Sequence, residues 1–290
     1  MIPPPFDYTI PDSISEAVSL LHQNDDAKIL AGGQSLIPLM RFRLASPALL
    51  IDINHFDDLD YVSEENGWLR IGALTRESTL ERSPLIREKY HLLADTSRMI
   101  ADPLVRNLAT VGGNLAHADP ANDHPATMLA YEAQLLVRGP NGERQIPAAD
   151  FFVGPFEPAM AHDEILTEIR IPVSGRRASG AYQKLERKVG DFATAAVAAQ
   201  ISLDEDGTCQ KAGIGLTNVG MTPIKARSAE EALLGNKLDD SVIQHAAQLA
   251  AESAEPNMDP RGSEEYKRAM VRVLTARAIN IALDRARGGN

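Results

Sequence analysis

At 290 residues, with 44% hydrophobic and 24% charged residues, the chain has the make-up of an ordinary globular protein and enough length for two domains. A formal net charge of −11 without a basic cluster argues against nucleic acid or an anionic membrane surface as partner. The single cysteine, Cys209, excludes an internal disulfide, an iron–sulfur cluster or a cysteine-built zinc site on this chain, and reads as a small buried strand residue.

Residues 1–10 are proline-rich and read as extended, without the charged start and apolar core of a signal peptide. No apolar run is long enough to span a bilayer, so a cytoplasmic protein is expected, docked at most to the inner face of the membrane. Ser13 and Glu16 have capping-box spacing and predict a helix over 13–23. A strand at 27–30, a short helix over 36–43 with Pro38 in its first turn, and a strand at 49–53 complete a small α/β unit. A second unit opens on a strand at 68–74. Thr75 is then expected to cap a helix over 76–81, and one longer helix is expected over 85–98. A turn or short helix at 103–107, a helix at 125–131, a hairpin around residues 139–142 and an alternating strand at 164–172 follow. Residues 173–180 read as a linker. Beyond it, strands at 180–187, 193–203 and 209–219 and helices at 227–234, 239–254 and 263–287 predict a three-stranded antiparallel sheet backed by helices.

Two glycine pairs carry the chemistry. Ala31-Gly32-Gly33-Gln34-Ser35 follows the apolar Ile29-Leu30, and Thr110-Val111-Gly112-Gly113-Asn114 follows Leu108. A Gly-Gly pair can bend the backbone so that successive N–H groups face one concave space, which suits an anion. Gln34, Ser35, Thr110 and Asn114 add side-chain donors without charge. Two such loops facing each other could hold a pyrophosphate from both sides. Neither matches the Rossmann or P-loop glycine pattern. His117 and His124, beside Asp119 and Asp123, lack the spacing of a standard metal site and read as loop structure. Tyr182 and Lys184 share one face of a strand, and by themselves read as a solvated face. Arg41, Arg43 and Arg106 read as solvated or as partner-docking residues.

The stretches at 31–40, 110–126 and 180–185 together resemble the FAD-binding medium subunits of molybdenum hydroxylases, most nearly those of carbon monoxide dehydrogenase type. The resemblance covers nearly the whole chain. It implies an α+β protein with a vanillyl-alcohol-oxidase (PCMH)-type FAD-binding domain at 1–175, made of two α/β subdomains (1–53 and 54–175), and a C-terminal α+β domain at 176–290. It further implies that Ala31 to Ser35 and Thr110 to Asn114 cradle the pyrophosphate through backbone N–H groups. Ile100 and Ala101 would line the adenine side, and Leu166 would pack near the isoalloxazine. Asp123 would meet a sugar hydroxyl or brace its loop. Tyr182 would shield a flavin face, with Lys184 at the polar edge of the ring. No attachment motif is present, so the FAD is expected to be non-covalent. The molybdenum cofactor and 2Fe–2S clusters would lie on a large and a small partner subunit, in a dimer of heterotrimers that delivers electrons to an acceptor such as a quinone. A self-sufficient FAD oxidoreductase of the same fold, a medium subunit for an N-heterocycle or aldehyde hydroxylase, and an assembly subunit that has lost flavin stay open.

Overall fold

The computed structural model describes residues 2–288. Its first layer is β1 (Asp7–Thr9), α1 (Ile14–Gln23), β2 (Ala27–Leu30), α2 (Leu36–Arg41) and β3 (Leu49–Asp52). The three strands form a parallel sheet in the order β1-β3-β2. Ser13 Oγ accepts from Glu16 N at 3.2 Å and starts α1, as its capping spacing requires. The Glu16 carboxylate reaches back one residue further than a capping box, to Asp12 N at 2.7 Å. Ala17, Val18 and Leu21 on one face of α1 bury against Ile51, Ile53 and Phe56.

The second layer begins with a 3-10 turn at Asp57–Leu59, then β4 (Val62–Glu65), β5 (Trp68–Gly72), α3 (Glu77–Arg82), α4 (Pro84–Lys89), α5 (His91–Met99), α6 (Pro103–Arg106), α7 (Val111–His117) and α8 (His124–Tyr131). It ends with β6 (Gln134–Gly139), β7 (Gly142–Pro147), α9 (Ala148–Phe151), β8 (Phe152–Gly154), β9 (Glu157–Pro158) and β10 (Ile165–Pro172). Five strands pair throughout antiparallel in the order β4-β5-β10-β6-β7. Two expectations need correction here. Thr75 is not a helix cap: its Oγ1 donates to Tyr61 O at 3.0 Å and accepts from Tyr61 N at 3.2 Å, so α3 starts later, at Glu77. The single helix expected over 85–98 is two, because Tyr90 takes a non-helical φ of −122° and ψ of 57° between α4 and α5.

The third layer is β11 (Ala178–Leu185), β12 (Ala195–Leu203), β13 (Cys209–Thr217), β14 (Ile224–Lys225), α10 (Arg227–Leu233), α11 (Asp240–Glu252) and α12 (Glu264–Ala286). The antiparallel sheet has four strands rather than three, because the short β14 pairs with β13 through Gly215–Lys225 and Leu216–Ile224. Side chains of β12 alternate between two cores. Ala196 and Ala198 join the cluster of the five-stranded layer, while Ala195, Val197, Ala199 and Ile201 face α11 and α12. Helix α8 closes on the other side of this sheet. Every one of its residues is buried, and two glycines let its backbone approach β13. A Cβ on Gly213 would stand 1.9 Å from Ala130 O, and one on Gly215 would stand 2.0 Å from Ala126 O. The two carbonyls are one helical turn apart, so the glycines form a matching pair of notches.

Candidate functional site

The first glycine motif is the connection from β2 to α2, at the C-terminal end of a parallel strand. Gly33 has φ of +71°, a conformation that favours glycine, and turns the chain into α2. Ile37 N and Leu39 N take Gly33 O and Ser35 O, while the N–H groups of Gly32, Gly33, Gln34 and Ser35 donate to no acceptor among the described residues. Gln34 Nε2 folds back on Gly32 O at 3.2 Å. The result is a half-buried run of free amide donors, open on one side.

The second motif differs from its expected form. Gly112 and Gly113 lie in the first turn of α7, and Thr110 is the N-cap, its Oγ1 accepting from Gly113 N at 3.1 Å. Val111 N bonds Thr75 O at 3.0 Å, Gly112 N bonds Ala73 O at 2.9 Å and Asn114 N bonds Thr110 O at 2.9 Å. Four of the motif's five amides are therefore used inside the protein, and the Thr110 N–H alone has no acceptor among the described residues, which corrects the expectation of a second open backbone cradle. Gly112 is glycine because its backbone lies on Ala73, whose Cβ would be 2.5 Å from an added one. The motif also leaves a side-chain atom free: Asn114 Oδ1 is buried without a partner.

The two motifs touch. A Cβ on Gly32 would stand 2.2 Å from Leu108 O and 2.8 Å from Ala109 Cα, so only glycine permits this approach. Two residues not singled out from the sequence tie the junction. Asn54 Nδ2 donates to Ala31 O at 2.8 Å, and Arg76 donates to Asn54 Oδ1 at 2.8 Å and to Leu108 O at 2.5 Å. Nothing in a lone Asn or Arg marks such a role. It becomes visible only when the chain brings residues 31, 54, 76 and 108 together.

Asp123, Tyr182 and Lys184 also come together. Tyr182 OH donates to Asp123 Oδ1 at 2.6 Å, and Lys184 Nζ donates to Asp123 Oδ2 and to Met99 O, each at 3.0 Å. The solvated-face reading of this strand is wrong: Tyr182 is 2% exposed and the Lys184 side chain 1%. Of the two roles open to Asp123, bracing is the one these bonds perform. Burial raises the Asp123 pKa against the opposing pull of Lys184 and Tyr182. Burial and the adjacent Asp123 charge push the Tyr182 phenol well above its ordinary value, so it stays a proton donor. Asn122 Nδ2 donates to Asn114 O at 2.8 Å and joins this cluster to α7.

Ile100 is buried, and Ala101 has φ of +45° in a tight turn after α5. Arg106 holds that turn, donating to Ile100 O at 2.9 Å and Ala101 O at 3.2 Å, while Glu81 Oε2 accepts from its Nε at 2.9 Å. Arg106 is thus a buried strut rather than a solvated or docking residue. Leu166 is buried on β10 beside a bulge, in the same apolar cluster as Tyr182. The histidines are structural. His124 Nε2 pairs with Glu77 Oε2 at 2.8 Å, both fully buried, and the His117 ring packs 5.2 Å from that of Phe156. Among the described residues, no three His, Cys, Asp or Glu side chains gather as metal ligands, and no helix is long and apolar enough to cross a membrane.

Residues 4–174 match the FAD binding domain in molybdopterin dehydrogenase, and residues 180–282 match the CO dehydrogenase flavoprotein C-terminal domain. The carbon monoxide dehydrogenase medium chain of Hydrogenophaga pseudoflava is 43% identical over 97% of this chain and 98% of its own length. The 6-hydroxypseudooxynicotine dehydrogenase complex subunit alpha of Paenarthrobacter nicotinovorans is 37% identical over 99% of this chain and 97% of its own. A solved carbon monoxide dehydrogenase from Hydrogenophaga pseudoflava superposes with a TM-score of 0.95 at 45% identity, covering 98% of this chain and 99% of the matched chain.

Proposed function

The chain belongs to the family of FAD-binding domains in molybdopterin dehydrogenases, and from that premise we propose that it is the flavoprotein subunit of a molybdenum hydroxylase of carbon monoxide dehydrogenase type. In this reading it receives electrons from the 2Fe–2S clusters of a small subunit and passes them to an external acceptor such as a quinone. The substrate is oxidised on a large, molybdenum-binding subunit, and the assembly is a dimer of heterotrimers in the cytoplasm. Residues 1–175 form the FAD domain and 176–290 the covering domain.

The residues fit the cofactor. The observation that carries the reading is the run of free amide donors at Gly32 to Ser35, closed against Leu108–Ala109 by a glycine that admits no side chain. A pyrophosphate accepts such donors without requiring a basic patch, which matters in a chain of net charge −11. Ala31 to Ser35 would hold the phosphates, with Thr110 to Asn114 as a rigid floor whose unpartnered Asn114 Oδ1 would accept from a sugar hydroxyl of the cofactor. Ile100 and Ala101 would border the adenine, and Leu166 and Tyr182 would supply apolar wall near the ring. Asp123 holds Tyr182 and Lys184 in place, and the Lys184 ammonium, paired with Asp123, would border the ring's polar edge. Bound there, FAD supplies the exchange between single-electron arrival and paired-electron delivery. No side chain on this chain is required as nucleophile or general base toward the substrate.

Purification from the native cell followed by metal and flavin analysis tests the reading. Molybdenum, iron and FAD are expected together, with this chain carrying the flavin. A chain that lacks flavin, or that alone turns over the organic or gaseous substrate, would overturn it.

A further inference from the structure

Away from the glycine motifs, one cleft departs from the chain's acidic character. It measures about 440 Å³ and is lined by Arg82, Arg87, Arg98 and Arg106 with Glu81 and Pro103. The arginines come from the four successive helices α3 to α6. Each sits in its helix's last turn, where a cation meets the negative end of the helix dipole. That local preference does not require all four to converge on one hollow. Arg106 is paired with Glu81. Arg82, Arg87 and Arg98 are exposed and, among the described residues, form no hydrogen bond or ion pair through their guanidinium groups. Four guanidinium charges against one carboxylate leave the lining strongly positive.

We propose that this cleft binds a multiply charged oxyanion of the phosphate class, and that its occupancy is coupled to the Ile100–Ala101 turn through Arg106. Guanidinium forks match phosphate oxygens two at a time and, unlike an ammonium, keep their charge throughout the physiological range. Like charges held together repel, and an anion carrying two or three charges turns that cost into attraction. The cleft's volume suits a small molecule rather than a bare halide. The coupling follows from the hydrogen bonds of one side chain. Arg106 Nη1 supports Ile100 O and Ala101 O, while its Nε and Nη2 face Glu81. An oxyanion entering the cleft competes with Glu81 for that guanidinium and so acts on the turn. The turn is also the seat of Gly190, where a Cβ would lie 2.8 Å from Ala101 O, so the loop after β11 rests on the same point.

Calorimetric titration of the full chain with inorganic pyrophosphate, at ionic strength held constant with chloride, tests this. The Gly32–Ser35 loop is a second place for the same probe, so variants decide. Saturable binding is expected in the parent and in Gly32→Val, weakened about tenfold or more in an Arg87→Ala/Arg98→Ala double variant. Both arginines are exposed, and an unchanged melting temperature confirms that the double variant folds. Amide exchange over residues 99–107 should change with pyrophosphate in the parent and not in the double variant. Binding no stronger than that of chloride, binding indifferent to the arginines, or binding lost only in Gly32→Val overturns the proposal. So does capture of poly-glutamate by the same arginines without pyrophosphate binding, which would make the cleft a surface for an acidic protein. Amide exchange unmoved by a bound probe refutes the coupling. In a chain without FAD the loop competes for the probe, and Gly32→Val then isolates the cleft.

Discussion

The closest tolerances in the chain are at single residues. Gly32 meets the main chain of Leu108, not a side chain that could swing aside, so a bulky substituent must part the two glycine motifs. Gly32→Val is expected to abolish FAD retention, read as loss of flavin absorbance from the purified protein, while the remote C-terminal layer stays folded. Lys184 is a different case. Removing its charge in Lys184→Met leaves the Asp123 carboxylate 6% exposed with a phenol as its remaining side-chain donor. Breaking a buried pair from one side costs about 3–5 kcal/mol, and urea denaturation should show a loss of that size. Adding Asp123→Asn should recover much of it, because the uncompensated charge is then gone. The glycine motifs were legible in the sequence as a place where an anion could sit. The partnership of Asp123, Tyr182 and Lys184 was not, because 59 residues separate the first two and no spacing rule spans that distance. Asn54 and Arg76 were hidden for the same reason.

At the scale of elements, legibility followed the strength of local signals. Helix α1 has its cap and apolar stripe in adjacent residues, and β12 opens on an unbroken apolar run, Ala195 to Ala199, buried on both faces, so both stood out. The break at Tyr90 did not, because apolar residues continue across it while the capping Ser83 and following Pro84 announce only the first of the two helices. The second glycine pair read as a loop because glycine disfavours helix interiors by about 1 kcal/mol. Tertiary contact overrode that preference, since a helix starting against Ala73 needs a residue without a side chain at Gly112. The seam between α8 and β13 rests on the same logic and yields a third prediction. Gly215→Val would drive a side chain into Ala126 O and lift α8 from the sheet. Overpacking of this kind costs about 1–3 kcal/mol or more, measurable by guanidinium denaturation. Because α8 begins directly after Asp123, flavin retention should fall in the same variant.

Across the whole molecule, the acidic surplus makes stability depend on pH in a direction the ion pairs fix. Burial alone would raise the Glu168 pKa, but Arg70, Tyr61 and Arg170 all engage its carboxylate and hold it below its ordinary 4.5. A carboxyl depressed in the folded state stabilises fully above its unfolded pKa and loses that contribution as pH falls through the folded value. Asp52, Glu164 and Asp259 are shifted the same way, whereas burial shifts Asp123 and Glu230 oppositely. Urea midpoints should therefore drop as pH falls below about 4.5, and Glu168→Gln should flatten that limb while lowering stability near neutrality. The asymmetry of the two glycine motifs reaches further, into biogenesis. One motif spends most of its amides on its own chain, and Asp123, Tyr182 and Lys184 beyond it bond one another, so this half satisfies most of its polar groups from the polypeptide alone. The other keeps its donors facing outward. The chain is then expected to fold without flavin and to take it up afterwards: protein stripped of FAD should keep its secondary structure by circular dichroism and regain flavin absorbance when FAD is added back.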